Sequence, residues 1–361
     1  MLKVGLVGCG RIAKRHAELL GRGQVQGAEL AAVADIIGEK ARALAAPFGV
    51  PWFTDMHAMV ANAAPDVIAI LTESGRHAEH TLALAPYGKH LIVEKPMALT
   101  LDDADQMISA CDRSRVRLFV VKQNRFNLPV LKLREAVEAG RFGRLVLGTV
   151  RVRWCRRQEY YDQDPWRGTW ALDGGVLSNQ ASHHIDLLEW MMGDVESVFA
   201  KATTALARIE AEDTAVVVLK FRSGALGVIE ATTAARPKDL EGSISILGEK
   251  GTVEIAGFAV NEMRTWQFEP ALPADREVVA KFSVNPPSVY GFGHQAYYQH
   301  VVSCINDGQP QLVDGLEGRR SLELISAIYE SIETGQEVGM RFVPRLCRLG
   351  HGTRAAGGKG T

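Results

Sequence analysis

The fold of this chain is decided by the stretch Val4-Gly5-Leu6-Val7-Gly8-Cys9-Gly10-Arg11-Ile12-Ala13, an apolar strand followed by Gly-x-Gly-x-x-Ala and a helical pattern. Gly8 permits a tight turn, Gly10 lets the backbone approach a pyrophosphate, and the small Ala13 lets the helix pack closely on the strand. Asp35 ends the second predicted strand, at about the distance where an acid meets ribose hydroxyls. The stretch therefore predicts a dinucleotide-binding unit. The alternative is a glycine turn that only packs a strand against a helix, and the position of Asp35 argues against it.

Asp35 also bears on which dinucleotide is bound. It is followed by Ile36-Ile37 and not by Arg or Ser, so no neighbouring side chain would accept a 2′-phosphate. A carboxylate at this position would repel such a phosphate. The sequence therefore predicts NAD as the cofactor and not NADP.

Residues 3 to about 121 alternate between short apolar runs and amphipathic stretches. Continuous apolar runs such as Val67–Leu71 are typical of parallel strands that helices cover on both faces. Capping and acidic residues at Thr54-Asp55 and Thr100–Asp103 predict helices at about 55–63 and 101–114. The predicted strands are Lys3–Gly8, Glu29–Asp35, Asp66–Thr72, His90–Glu94 and Arg117–Val121. The predicted fold class is α/β, beginning with a Rossmann domain, a doubly wound parallel sheet, over residues 1–122.

From about residue 145 the pattern changes to longer alternating runs joined by short polar turns, which predicts a large open sheet that is mostly antiparallel. The predicted strands are Leu145–Trp154, Val195–Thr204, Thr214–Phe221, Ala225–Ala231, Ser243–Leu247 and Gly251–Ile255. The predicted helices are His183–Met192, Gln295–Ile305 and Leu316–Glu333. We therefore expect a second α/β domain over residues 123–343 that binds the substrate. The Gly-rich, basic end of the chain predicts a flexible tail over residues 344–361.

The composition excludes several classes of partner. The chain has 41 Lys and Arg against 42 Asp and Glu, a formal net charge of −1, which argues against whole-chain attraction to nucleic acid or an anionic membrane. Five cysteines without a Cys-x-x-Cys pair fit neither a disulfide framework nor a zinc ribbon, so we expect them to be reduced. No signal-peptide pattern is present, and no apolar run approaches the roughly 20 residues that span a bilayer. The expected location is the cytoplasm.

A lysine at the end of a predicted strand is the first candidate catalytic group. The run Val93-Glu94-Lys95-Pro96 places Lys95 at the carboxyl edge of the parallel sheet, where ligands of such folds bind. Pro96 forces an extended backbone on Lys95 and allows a cis peptide bond that would fix its direction. Partial desolvation next to a cationic nicotinamide would lower the pKa of Lys95 and make it a proton acceptor for an alcohol. The alternative is a solvated lysine at a strand end.

The second candidate lies in the run from Leu172 to Asp186. On one predicted helix, Asn179, His183 and Asp186 share a face, because their spacings are four and three residues. His183 would then pass a proton to or from the substrate oxygen while Asn179 and Asp186 orient its ring. Two alternatives remain: core histidines at a structural helix start, and a zinc site built from His183, His184 and Asp186. Adjacent histidines diverge on a helix and no cysteine lies at ligand spacing, so we predict no metal.

Positive charge is concentrated in one short span, which suits a phosphate or carboxylate ligand held by guanidinium groups. The span contains Arg151, Arg153, Arg156, Arg157 and Arg167, with Lys122 and Arg125 at an adjoining strand end. Because Arg151 and Arg153 share a face of an alternating strand, a solvated or subunit-facing edge is the alternative for these two. The nearby aromatic residues, which either stack on a base or sugar or belong to the core, are Tyr160, Tyr161, Trp166 and Trp170.

Taken together, these motifs resemble the Gfo/Idh/MocA family of NAD(P)-dependent sugar oxidoreductases over about residues 1–343. The resemblance rests on Gly8-x-Gly10-x-x-Ala13, on Glu94-Lys95-Pro96, and on the Gly-Gly…His-x-x-Asp run that ends at His183 and Asp186. It implies a Rossmann domain joined to an α/β domain whose open sheet forms dimers or tetramers, with Lys95 and His183 as catalytic residues. The cofactor-binding residues it implies are Gly8, Gly10, Arg11, Ile12, Asp35, Thr72, His77, Glu94, Lys95, Gln123 and Trp170. The substrate-binding residues it implies are Lys95, Asn124, Arg125, Asn127, Tyr160, Arg167, Asn179, His183 and His294.

The chain departs from the family at one position and is similar to one of its branches at others. Many members carry aspartate four residues before the catalytic histidine, where this chain has Asn179, which disfavours a polyol dehydrogenase. The branch it resembles oxidises UDP-N-acetylglucosaminuronic acid at C3, giving a 3-keto sugar for an aminotransferase in bacterial surface polysaccharide (O-antigen) synthesis. The resembling segments are Lys122–Asn127, Trp166–Trp170, Asn179-Gln180 and Tyr290–His294. Alternatives are a dehydrogenase of free sugars or polyols, and a non-catalytic NAD-binding regulator, which would not need Lys95 and His183.

Overall fold

The computed structural model describes residues 1–283, 292–340 and 346–351. Tyr290 and Gly291, and most of the predicted tail, lie outside these ranges. The strands are β1 (Leu2–Val7), β2 (Ala28–Ala34), β3 (Trp52–Phe53), β4 (Val67–Ile70), β5 (His90–Val93), β6 (Leu118–Val120), β7 (Leu145–Arg153), β8 (Val195–Thr203), β9 (Thr214–Phe221), β10 (Leu226–Thr232), β11 (Glu241–Gly248), β12 (Gly251–Ala256), β13 (Glu262–Phe268) and β14 (Val338–Gly339). The α-helices are α1 (Arg11–Gly21), α2 (Gly38–Ala45), α3 (Met56–Ala63), α4 (His77–Leu84), α5 (Leu101–Arg113), α6 (Leu128–Glu138), α7 (Gln158–Tyr161), α8 (Ser182–Met192), α9 (Val278–Lys281), α10 (Gly293–Asn306) and α11 (Gly315–Thr334).

The first half is a parallel sheet with strand order β3-β2-β1-β4-β5-β6. β4 is buried along its whole length, which confirms that its apolar run is covered on both faces. Asp55 caps α3 through the N–H of Ala58, and Thr100 caps α5 through the N–H of Asp103, as their sequences predicted. The strand order reverses between β1 and β4, and this switch point is where ligands of such sheets bind.

The second half contains the predicted open sheet. Among the described residues its order is β13-β12-β11-β7-β10-β9-β8-β14, antiparallel throughout except for the β7–β10 pair. α8 contacts β7 and β11, and α11 contacts β8, so these helices cover one face. The other face exposes apolar side chains at alternate positions, among them Val216, Val218 and Leu226.

One helix from the second half completes the core of the first. α10 places Tyr297, Tyr298 and Val301 in the same buried cluster as Leu6 and Phe119 of the parallel sheet. The side-chain amide of Gln295 and that of Gln299 also donate to backbone carbonyls of the segment before β2. The two halves are therefore joined by a shared core as well as by the chain between β6 and β7.

The five cysteines are all unpaired, as predicted. In the ranges that the structure describes, we find no helix with the length and apolar character needed to cross a lipid bilayer.

Candidate active site

In the loop between β1 and α1, protein atoms pack closely against one glycine and leave free space beside the next. Gly8 has a φ of 94°, and a Cβ there would lie 2.8 Å from the backbone of Leu71. A Cβ at Gly10 would meet no protein atom within 4 Å. α1 then begins at Arg11 with no side-chain cap and no acidic residue in its first turn. The N–H groups and the positive dipole end of α1 therefore face an open space that fits a pyrophosphate.

Asp35 follows β2, and two backbone N–H groups hold its carboxylate. Cys9 N–H donates to Oδ2 at 2.7 Å, and Ile37 N–H donates to Oδ1 at 2.8 Å. Each oxygen keeps a further lone pair with which to accept a ribose hydroxyl. The Cys9 thiol is not a nucleophile, because burial and the charge of Asp35 raise its pKa to about 12. The glycine loop and Asp35 together fit NAD.

The carboxyl ends of the central parallel strands open into a cleft of about 730 Å³, which is also lined by the second half of the chain. The predicted cofactor-binding residues that line it are Gly8, Gly10, Arg11, Ile12, Asp35, Thr72, His77, Glu94, Lys95 and Gln123. The predicted substrate-binding residues that line it are Lys95, Tyr160, Arg167, Asn179, His183 and His294. Residues predicted from separate motifs thus meet in one cleft.

Lys95 lies at the junction of the two halves. The peptide bond to Pro96 is cis. Lys95 Nζ donates to the backbone oxygen of Asn179 at 2.9 Å and to its Oδ1 at 3.3 Å. Burial lowers the pKa of Lys95, while the charges of Glu94 and Asp173 oppose this shift. Desolvation therefore acts in the direction predicted, towards a lysine that can be neutral and accept a proton.

Glu94 is held as a buried carboxylate beside Lys95. Its Oε1 accepts a hydrogen bond from His16 Nε2 at 3.1 Å, and His16 Nδ1 contacts the hydroxyl of Tyr298 at 2.6 Å. Burial alone would raise the pKa of Glu94, but the His16 hydrogen bond and the charges of His16, His294 and Lys95 lower it to about 2. His16, Glu94 and His294 offer ligand atoms within 4.8 Å of one another. Because both ring nitrogens of His16 are already hydrogen-bonded, we describe this group as a hydrogen-bonded cluster and not as a metal centre.

His183 lies in the first turn of α8, and its Nε2 is 3.0 Å from the side-chain nitrogen of Gln123. Burial, and next the charge of Lys95, lower its pKa well below the usual value. His183 is therefore a neutral imidazole at neutral pH, and its role in passing a proton stays a prediction. Asn179 differs from the prediction: it precedes α8, which begins at Ser182, and it contacts Lys95 and not His183.

Asp186 does not orient His183, which is a second correction. Its carboxylate accepts hydrogen bonds from Lys122 Nζ and from Arg125 Nε at 2.8 Å and Nη2 at 2.7 Å. Arg125 Nη1 also donates to Glu317 at 2.7 Å. Two cations and a carboxylate are thus buried together, and Lys122 and Arg125 flank the segment that carries Gln123. Asp186 stabilises that segment, while the guanidinium of Arg125, predicted to bind substrate, is engaged by carboxylates of the chain itself.

Four predicted site residues do not line the cleft: Asn124, Arg125, Asn127 and Trp170. Asn127 Nδ2 donates to the backbone oxygen of Ala259 at 3.0 Å. Trp170 packs edge-on against Tyr329, and the guanidinium of Arg348 lies over its ring at 4.4 Å. Other parts of the chain therefore hold Asn127 and Trp170, and the ligand contacts of the four residues stay predictions.

The predicted arginine cluster divides between two surfaces. Arg153 pairs with Glu230 and Glu241 on the open sheet face, where Arg151 also lies. Of the others, Arg157 is exposed, while Arg156 and Arg167 line the cleft. Their guanidinium carbons stack with aromatic rings at 4.6 to 5.6 Å, forming a series that we call the arginine–aromatic ladder. The ladder consists, in order, of Trp154, Arg156, Tyr160, Arg167 and Trp166.

The sequence did not single out three residues that the structure places in or beside this site. His80 Nδ1 is 2.9 Å from Thr72 Oγ1 at the cleft wall. His16 supports Glu94, and Asp173 lies behind Asn179. Asp173 stands within the run from Leu172 to Asp186, but no spacing rule connects it to Lys95, since its link to Lys95 is made by Asn179 in a loop.

The comparisons with known proteins agree with this geometry. The family model described as oxidoreductase family, NAD-binding Rossmann fold matches residues 2–122, and that described as oxidoreductase family, C-terminal alpha/beta domain matches residues 134–340. Myo-inositol 2-dehydrogenase of Thermotoga maritima is 28% identical over 95% of this chain and 99% of its own length.

Two solved structures are more similar in sequence. The WlbA dehydrogenase of Bordetella pertussis, in complex with NADH and UDP-GlcNAcA, is 43% identical with a TM-score of 0.86, covering 94% of this chain and 99% of that one. WlbA of Chromobacterium violaceum, also with NADH and UDP-GlcNAcA, is 42% identical with a TM-score of 0.88, covering 94% and 96%. The glycine loop, the cleft and both family matches lead to one conclusion: the chain belongs to the Gfo/Idh/MocA family of oxidoreductases and has an NAD-binding Rossmann domain.

Proposed function

We propose that this oxidoreductase uses NAD to oxidise the C3 hydroxyl of a UDP-linked N-acetylamino uronic acid to a 3-keto sugar. The observation that carries the proposal is the identity of 42–43%, over 94% of the chain, with two dehydrogenases solved in complex with NADH and UDP-GlcNAcA. The relative that acts on myo-inositol is only 28% identical. The arginine–aromatic ladder adds independent support, because a ring such as inositol carries no charge for Arg156 and Arg167 to bind.

The cleft has the parts that such a substrate requires. Guanidinium groups bind carboxylate and phosphate oxygens through paired N–H donors, and aromatic rings stack on a base or sugar. Arg167 is held by Tyr160 at 2.9 Å and by Asp164 at 3.0 Å, so it is pre-positioned and not a free surface side chain. We assign the ladder to the anionic part of the substrate and the region between Lys95 and His183 to the sugar ring.

Each residue then has a stated task in the reaction. NAD, when bound, accepts the hydride from the ring carbon. Lys95, whose pKa burial lowers, accepts the hydroxyl proton. His183 is neutral and donates or accepts a hydrogen bond at the substrate oxygen, with Gln123 beside its ring at 3.0 Å. Asp35 holds the ribose hydroxyls and excludes a 2′-phosphate.

The wider setting is part of the same proposal. A 3-keto product is a substrate for an aminotransferase, and we extend the proposal to the setting that the sequence resemblance implies, bacterial surface polysaccharide synthesis in the cytoplasm. Apolar side chains at alternate positions of the open sheet face, such as Val216 and Val218, support association of copies of the chain into a dimer or a tetramer.

The substrate is tested by incubating the purified protein with NAD and UDP-N-acetylglucosaminuronate. We expect NADH formation and a product lighter by two hydrogen atoms in mass spectrometry. Myo-inositol and free glucose serve as parallel substrates. Turnover of inositol without turnover of the UDP-sugar would refute the proposal in favour of a polyol dehydrogenase, and no turnover of any substrate would favour a regulator that binds NAD.

Two sets of variants test the roles of the residues. Lys95→Ala should lower kcat by at least about 10²-fold with an unchanged circular dichroism spectrum, and Lys95→Arg should not restore it, because arginine stays protonated. Arg167→Gln should raise KM for the UDP-sugar at least about tenfold. Arg113→Gln removes the same charge from the exposed end of α5 and should leave KM unchanged.

A further inference from the structure

A buried carboxylate lies behind the residue that holds Lys95. Asp173 is 2% exposed and does not line the cleft. Its Oδ1 accepts from the side-chain Nδ2 of Asn179 at 2.6 Å, and its Oδ2 accepts from the backbone N–H of Gly168 at 2.8 Å. On the opposite side, Asn179 presents its two oxygens to Lys95 Nζ. Hydrogen bonds therefore connect Asp173 in the core, through Asn179, to Lys95 at the cleft.

We propose that Asp173 is a positioning residue that fixes the Asn179 amide with its oxygen towards Lys95, and so aims the lone pair of the neutral lysine at the substrate hydroxyl. The inference deepens the proposed function and rests on Lys95 being the proton acceptor. It assigns a task to the asparagine that stands where many members of the family carry aspartate.

A neutral lysine has two N–H groups that can donate hydrogen bonds and one lone pair that can accept one. Asn179 supplies two acceptors, its backbone oxygen at 2.9 Å and Oδ1 at 3.3 Å from Nζ. With both N–H groups directed there, the lone pair takes the remaining tetrahedral direction, towards the cleft that Lys95 lines. In the reaction the substrate O–H bond breaks and an N–H bond forms at Nζ, while the ring hydrogen leaves as hydride to NAD and the C–O bond becomes a ketone.

The opposite orientation of the Asn179 amide would prevent this arrangement. Its Nδ2 would then donate to the Lys95 lone pair and compete with the substrate hydroxyl. Its Oδ1 would face the carboxylate of Asp173, so that two oxygen acceptors would be opposed in a buried position. The ionised Asp173 therefore selects the productive orientation, because it can only accept a hydrogen bond.

The charges around Asp173 are consistent with an ionised group at the pH where Lys95 acts. Burial raises the pKa of Asp173 to about 6, against the lowering effects of the Gly168 N–H, the Asn179 amide, Lys95 and Arg167. Glu212 and Tyr161 are the other titratable groups that it affects. Lys95 is in turn influenced by Glu94 and Arg167, and it influences His183. Above pH 6 Asp173 is mostly ionised, and its charge favours the protonated form of Lys95.

Asp173→Asn removes the charge and turns one of the two acceptor oxygens into a donor. Either Gly168 or Asn179 then faces an NH₂ group, so the Asn179 amide is no longer fixed. We expect kcat at its pH plateau to fall about tenfold or more, with KM for NAD and the UDP-sugar nearly unchanged, because Asp173 does not line the cleft. We also expect the acidic limb of kcat, which reports protonation of Lys95, to shift to lower pH by about half a unit to one unit.

A measurement that needs no substrate keeps this inference separate from the proposed function. In protein labelled with ¹³C at the lysine Cε, the Lys95 resonance is identified by its loss in Lys95→Arg, and its titration midpoint is compared between wild type and Asp173→Asn. A lower midpoint in the variant supports the inference, even if UDP-N-acetylglucosaminuronate proves to be the wrong substrate. An unchanged midpoint overturns it.

Two further variants separate positioning from a structural effect. Glu189→Gln removes another buried carboxyl, whose pKa burial raises to about 7 and which pairs with Arg320, and it should move neither the midpoint nor the acidic limb. If Asp173→Asn fails to fold by circular dichroism, Asn179→Ala carries the test, because removing the acceptor Oδ1 should likewise lower the Lys95 midpoint. If Asp173 acts through Asn179, the double variant has the kcat of Asn179→Ala alone, and additive losses would overturn the inference.

Discussion

Replacing Asp186 by asparagine tests whether the buried ion group holds the active site together. Asp186 is 3% exposed, Lys122 4% and Arg125 2%, so the variant leaves two cations buried without their shared carboxylate. Removing one member of a buried ion pair costs about 3–5 kcal/mol. Arg125 keeps its ion pair with Glu317, and Lys122 keeps its hydrogen bond to Ser321 Oγ at 2.5 Å. These remaining partners favour the lower end of that energy range. We therefore expect the free energy of unfolding to fall by about 3 kcal/mol.

The assay is equilibrium unfolding in urea, followed by tryptophan fluorescence and compared with a surface variant. Glu135→Gln breaks a pair with Lys132 on the exposed face of α6 and should cost no more than about 0.5 kcal/mol. A cost of no more than about 0.5 kcal/mol for Asp186→Asn, the size of a single surface change, would refute the role of the buried ion group.

The stability difference between wild type and Asp186→Asn should depend on pH in one direction only. Arg125 and Lys122 hold the pKa of Asp186 below its usual value, although burial acts in the opposite direction. A carboxyl whose folded-state pKa is lowered contributes stability that is fully present above its unfolded pKa, which is about 4, and is lost as the pH falls towards the folded value. The gap between wild type and Asp186→Asn should therefore be constant near neutral pH and narrow below about pH 4. A gap that widened on acidification would contradict the assignment.

Three other outcomes follow from the structure. Gly10→Ala should weaken NADH binding, measured by calorimetry, with little change in Tm. Gly8→Ala should lower Tm, because its Cβ would lie 2.8 Å from the backbone of Leu71. Equal effects of the two variants on Tm would contradict these different roles of the glycines. Asp35→Ser should lower the preference for NAD over NADP in kcat/KM by at least about tenfold, and an unchanged ratio would refute the role of the carboxylate. Burial raises the pKa of Glu212 to about 7, so the cost of burying its ionised carboxylate is absent below its unfolded pKa and grows as the pH rises towards 7. Glu212→Gln should therefore gain stability over wild type across that interval, by up to about 3 kcal/mol in urea unfolding. A gain that was largest at acidic pH would count against burial as the cause of the shift.

The elements that the sequence predicted well are those in which local pattern and tertiary environment agree. β4 is a continuous apolar run because helices cover both of its faces, and α5 begins where Thr100 caps it. The two-residue β3 and β14 are too short to show a period, and both are recognisable only from the strands that they pair with. The open sheet was predicted as a class but not in strand order, because the parallel β7–β10 pair joins residues far apart in the chain.

The sequence predicted those parts of the site whose motifs end at one common edge of the parallel sheet. Lys95 and Gly8 belong to separate strands whose carboxyl ends must meet in a parallel sheet, so their convergence follows from the fold class. The partners of Asp186 could not be predicted, because helical spacing places it near His183 but does not state which buried cations compete for it. The carboxylate partners of Arg125 could not be predicted for the same reason: a positive charge in the sequence does not reveal whether it binds a ligand or a carboxylate of the chain itself.

The packing of α10 against the parallel sheet has a consequence for synthesis of the chain. Tyr297 and Tyr298 fill the core beside Leu6 and Phe119, and the His16 ring is hydrogen-bonded to the Tyr298 hydroxyl. As the polypeptide leaves the ribosome, all six strands of the parallel sheet emerge long before this helix does. The nascent N-terminal half therefore carries an uncovered apolar surface while β7 to β13 are being synthesised, and it acquires its final closure only when α10 has been made.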